Sequence, residues 1–127
     1  MRLSTRNVIL ICMSEKSPPR RKFKFIGCEI IYREACHLAS ISPHRVDVEF
    51  LRKGLHDLQT GDMVRQVQQA IDAAGERGDY DAILLGYARC SDGTVGISAR
   101  EVPLVVPRAH DCITFFMGSR GAYREYF

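Results

Sequence analysis

The run Ala82–Tyr87, AILLGY, constrains this chain more than any other stretch. Six apolar positions in a row are too few for a globular helix and suit a strand covered on both faces. Strands of that kind belong to parallel sheets flanked by helices. The flanking pattern agrees. Phe23–Glu29 reads as a strand whose apolar run Gly27 ends, and Ile30–Ala39 as a helix with Ile30, Ile31, Glu34, Ala35 and Leu38 at helical spacing. Ser40 to Pro43 closes that helix. Val46–Phe50 alternates apolar and acidic residues, the period of a half-buried strand. Asp62–Arg77 is the clearest helix: Met63, Val64, Val67, Ala70, Ile71 and Ala74 form its apolar face, with Thr60 or Asp57 as cap and Gly75 and Gly78 at its end. After a loop over Ala88–Glu101, Leu104–Val106 is a short strand between Pro103 and Pro107. Asp111 then caps a helix, Cys112–Met117, that Gly118 stops. This alternation predicts an α/β fold, a Rossmann-like three-layer sandwich. Its sheet is mostly parallel, with four or five strands and helices on both faces.

Length supports one domain, and 46% hydrophobic with 26% charged residues excludes a disordered chain. The net charge of +3 is concentrated in Arg20, Arg21, Lys22 and Lys24, which read as a solvated linker after Pro18-Pro19. That is too little charge for a nucleic-acid partner. The apolar run Val8–Met13 is too short to span a bilayer and lacks a cleavage site, so no membrane partner is expected. Residues 1–22 read as a poorly ordered leader or as an extra edge strand over Asn7–Met13, and residues 23–127 as the α/β domain. Tyr123, Tyr126 and Phe127 end the chain without a polar tail, which predicts the N-terminal part of a longer protein. Five cysteines, an odd number with no CxxC pair, indicate reduced thiols and a cytoplasmic protein.

The reactive residues follow strand ends. Cys28 and Glu29 close the first strand, His56 follows the second, Cys90 the central one, and Arg108, His110, Asp111 and Cys112 the last. Ligands of α/β sheets bind outside the carboxyl ends of the strands. Cys28, Cys90 and Cys112 are therefore candidate ligands of a soft metal, zinc or iron, or of an iron–sulfur cluster. Cys112 at a helix start, with His110 and Asp111, is the candidate catalytic group. The competing reading is a small-molecule site for an anion, built from Arg108, Ser119 and Arg120 with His56 and Glu29 nearby. Three cysteines buried for unrelated reasons are the plain alternative to a shared site. Cys36 reads as core and His44 as solvated. No GxGxxG, phosphate-loop, GxSxG or HExxH pattern occurs.

Four stretches together, FIGCEIIYREACHLA, FLRKGLHD, YDAILLGYARCSDG and PLVVPRAHDCITFFMGSR followed by Tyr123, resemble the prokaryotic family DUF1638. The likeness runs from about Lys24 to Phe127 and is taken as the N-terminal part of the family's longer members. The family's repeated positions fall on Cys28, Glu29, His56, Gly86, Cys90, Pro107, Arg108, His110, Asp111, Cys112, Gly118, Ser119 and Arg120. Ala88-Arg89 departs from the family's pattern before Cys90. The resemblance implies a role in corrinoid-dependent one-carbon (methyl) metabolism, as an enzyme or accessory factor. Its implied partners are a small-molecule ligand or a corrinoid-pathway protein, with a homo-oligomer as a further expectation.

Overall fold

A computed structural model describes residues 19–52, 60–89 and 93–126. Its elements are β1 (Lys22–Cys28), a 3-10 turn (Glu29–Ile31), α1 (Tyr32–Ile41), β2 (Arg45–Leu51), α2 (Thr60–Glu76), β3 (Ala82–Gly86), β4 (Leu104–Val105), α3 (Cys112–Met117) and α4 (Arg120–Tyr126). The four strands form one sheet in the order β2-β1-β3-β4, and every pairing is parallel. The expected α/β architecture is therefore present.

Register separates the two faces. Ile26 pairs with Glu49 on one side and Leu85 on the other, and Lys24 pairs with Asp47 and Ile83. With Cys28 these residues share a face, because side chains alternate along a strand. On that face α2 buries Met63, Val67, Ile71 and Ala74 against Ile26, Cys28, Ile83 and Leu85. Each large side chain buried this fully contributes about 1.5–3 kcal/mol. The polar side of α2 has work too. Gln68 Oε1 accepts the Ser98 N–H at 2.8 Å and Asp72 accepts from Arg100 Nε at 3.1 Å, which fastens the segment before β4 to the helix.

The second face carries Phe23, Phe25, Gly27, Val46, Val48, Phe50, Ala82, Leu84, Gly86 and Val105. α1 lies over part of it, with the Tyr32 ring edge-on to Phe50 at 5.2 Å. Gly27 and Gly86 are cross-strand partners, and the Phe25 ring lies over both. A Cβ on Gly27 would stand 2.6 Å from that ring, and one on Gly86 would overlap it. The glycines are thus a seat for an aromatic side chain.

Several details differ from the sequence reading. Gly27, read only as the end of an apolar run, lies inside β1 with a purpose: its missing side chain leaves room for the Phe25 ring. Lys22 and Lys24 belong to β1 and pair with Asp79 and, at 2.8 Å, Glu49, so only the start of the basic run precedes the sheet. His44 is half-buried: its Nδ1 accepts the Arg21 N–H at 3.4 Å and its ring stands edge-on to Phe23. Cys36 is not core, since α1 buries none of its residues. α2 runs through Gly75, and Gly78, at φ 69°, follows its end. β4 is shorter than Leu104–Val106, and α4 was not anticipated. The Asn7–Met13 strand lies outside the described residues.

Two glycines should respond oppositely to the same change. Gly86→Ala drives the Phe25 ring from its seat and should cost about 1–3 kcal/mol, the range for overpacking. Gly75→Ala, with open space around it on α2, should stabilise by up to about 1 kcal/mol. Urea denaturation of both variants checks the pair, and adding Phe25→Leu to Gly86→Ala should recover part of the loss.

Candidate functional site

The carboxyl ends of the four parallel strands share one rim of the sheet. Strand order reverses there between β1 and β3: the chain leaves β1 for β2 on one side, then returns across β1 to β3. A crevice forms at such a reversal because the two crossovers leave on opposite faces. Cys28 is the last residue of β1, and Tyr87, Ala88 and Arg89 follow β3. The Arg89 N–H donates to the Ala109 carbonyl at 2.9 Å, which ties the segment after β3 to the segment after β4. Three residues on from Ala109, Cys112 opens α3.

Cys28 and Tyr87 are buried at 2% exposure, in the core shared with α2. Burial pushes the Cys28 thiol above its ordinary pKa, against a lowering contribution from the Ile30 backbone N–H. The sulfur of Cys112 and the carboxylate of Glu29 raise it further, so these groups lie within electrostatic reach of Cys28. Cys112 is half-buried, Glu29 exposed, and both cysteines are thiols, not half-cystines.

Asp111 has a defined local task. It sits in extended backbone, and its Oδ1 accepts the Thr114 N–H at 2.7 Å, the bond expected of an N-cap. That backbone bond, with Thr114's side chain as the next cause, holds the Asp111 carboxyl below its ordinary range, and the His110 charge adds to the effect. His110 itself is exposed beside it. Gly118, at φ 76°, ends α3 with its N–H on the Phe115 carbonyl at 3.2 Å. A left-handed residue is needed there, and glycine adopts it without strain. Ser119 Oγ then accepts the Ala122 N–H at 3.0 Å at the start of α4.

Arg108 and Ser119 line a cavity of about 150 Å³ with Thr114, Phe115 and Gly118, so two positions of the anion reading do converge. Arg120 begins α4. His56 and Cys90 lie outside the described residues. Among the described residues, no group of three or more His, Cys, Asp or Glu is placed to hold a metal ion. The sequence reading missed Tyr87, a buried hydroxyl-bearing ring at the rim. Its signal was available: a tyrosine closing an otherwise apolar strand.

The family described as "Protein of unknown function (DUF1638)" matches residues 50–127, more than half of the chain. The match falls on the C-terminal part of the chain and not on its N-terminal part, so β1 and α1 lie outside it. No curated protein and no solved structure matches the chain. Among the described residues, no helix is long and apolar enough to cross a membrane.

The cap yields a pH prediction. A carboxyl whose folded pKa is depressed stabilises the fold above its unfolded value and loses that contribution as pH falls through the folded one. The wild type should therefore lose α3 stability in acid, between about pH 5 and pH 2. Asp111→Asn keeps an acceptor without titrating and should not show that loss, whereas Asp111→Ala should be less stable already at neutral pH. Urea denaturation of the three proteins across this range decides it.

Proposed function

The chain belongs to the DUF1638 family, and within it we propose that the carboxyl rim is a thiolate site for a soft metal ion. Cys28 and Cys112 supply two sulfurs and Cys90 a third. The observation that supports this most is that Cys28, at the end of a central strand, and Cys112, at the start of the helix after an edge strand, lie within electrostatic reach of each other. Eighty-three residues separate them in sequence, and the strand-order reversal brings both to one rim. Paired thiols suit zinc, iron or cobalt better than hard cations. Cys90 directly follows Arg89, whose backbone is fastened to Ala109. A metal held here would supply Lewis acidity or thiolate activation, while His110, exposed at the same turn, would exchange protons with a bound substrate. Such a site suits an enzyme or accessory factor of corrinoid-dependent methyl metabolism, the setting that the family resemblance implies.

The test is titration of the reduced, oxygen-free protein with cobalt(II) and zinc(II). About one metal per chain should bind, with a sulfur-to-cobalt charge-transfer band. Cys28→Ser, Cys90→Ser and Cys112→Ser should each weaken binding at least about tenfold, the lower bound for losing even an outer partner of a metal site. A folded, reduced wild type that takes up neither metal would overturn the reading.

The Arg108–Ser119 cavity favours a second reading, a binding domain for a small anion. Inorganic phosphate should then raise the melting temperature, since a ligand held only by the folded state stabilises it. Arg108→Ala should weaken that binding about tenfold, the lower end for a charge-assisted hydrogen bond. An unchanged isotherm would sink this role.

A further inference from the structure

The turn that leads from β4 into α3 is fastened along its length. The Ala109 carbonyl accepts the Arg89 N–H at 2.9 Å, which holds the turn to the segment after β3. Two residues on, Asp111 is bonded twice: its Oδ1 accepts the Thr114 N–H at 2.7 Å and its carbonyl accepts the Phe115 N–H at 3.1 Å. Thr114 itself is only 4% exposed, and its side chain also bonds the Asp111 carboxylate.

Cys112 lies inside this frame. It is the first residue of α3, between the capping carboxylate and buried Thr114. Asp111 stands in extended backbone, at φ −148° and ψ 173°, and the helix begins at the next residue. The direction in which the Cys112 side chain leaves the backbone is therefore set where Asp111 turns the chain from extended to helical geometry. So short a helix does not hold its first turn unaided. The carboxylate is also occupied. Bonded to the Thr114 N–H and the Thr114 side chain, it is committed to the turn before any substrate arrives.

We propose that Asp111 is a positioning residue for Cys112: by capping α3 it fixes the thiol at the carboxyl rim and acts only through it. What this does for metal ligation rests on the thiolate-site reading above, whereas the positioning itself does not.

Alkylation of the reduced, chelator-treated full chain with iodoacetamide, followed cysteine by cysteine by mass spectrometry, tests it. A half-buried thiol reacts through local opening of its turn. Asp111→Ala should raise the Cys112 rate about fivefold, the factor equivalent to the ~1 kcal/mol that a cap contributes. Cys28 in the core and Cys36 on α1 should keep their wild-type rates. Asp111→Ser and Asp111→Asn, which cap as well as Asp, should leave the Cys112 rate near that of the wild type. Asp111→Glu keeps the charge but sets it one methylene too far out for the cap, and should behave as Asp111→Ala. It carries the comparison if the alanine variant does not fold. An unchanged Cys112 rate overturns the proposal. So does an equal rise at Cys28, Cys36 and Cys112, which is loss of the fold and not of one position. A wild-type rate in Asp111→Glu with a raised rate in Asp111→Asn also overturns it, because the charge and not the cap would then act on the thiol. A wild type that takes up no cobalt(II) removes the metal reading and leaves the alkylation result standing.

Discussion

The parallel pairing of β1 with a neighbour on each side is the constraint on which the rest depends. Two parallel neighbours require two crossovers, and their handedness sends α1 to one face and α2 to the other. The same requirement puts all four carboxyl ends on one rim. Residues from three separate turns meet there without any local sequence motif. The core and the candidate site thus come from one topological decision, made where β1 is flanked by β2 and β3.

That decision was legible in AILLGY and in the α2 periodicity, because both are strong patterns of hydrophobic burial. What escaped reading was governed by tertiary contact. Gly27 looked like a mere end to the apolar run, and only the Phe25 ring of the same strand, lying over Gly27 and its cross-strand partner Gly86, explains it. Lys22 and Lys24 looked like linker because they continue a basic run that follows two prolines. Here Asp79 and Glu49 meet them, in half-exposed pairs that contribute about 1 kcal/mol or less. α1 carried apolar residues at helical spacing, yet spacing does not say whether a surface waits opposite them.

The candidate site was legible to a similar depth. Placement of Cys28 and of the Arg108–Cys112 turn at strand ends followed from the strand pattern. The approach of Cys28 to Cys112 did not, because it depends on where a six-residue helix begins. The capping role of Asp111 could be read from its place before Cys112, and the structure gives that carboxylate the Thr114 N–H as partner. Ser119 is similar: its hydroxyl oxygen caps α4, leaving its O–H as the group that faces other chemistry. Side chains that seemed reactive in sequence are partly spent on ending and starting short helices.

α3 joins the two halves of the argument. Six residues cannot hold a helix by their own hydrogen bonds, since nucleation costs more than so few bonds return. It is held by the Asp111 cap at one end, by Gly118 at the other and by buried Thr114, while Phe115 and Phe116 border a space of about 310 Å³ beside Phe25 and Leu38. Cys112 is the first residue of that helix. The same six residues therefore present phenylalanines to the α1 face of the sheet and a thiol to its rim. Covering an apolar face and positioning a reactive group are, in this fold, consequences of the same short helix.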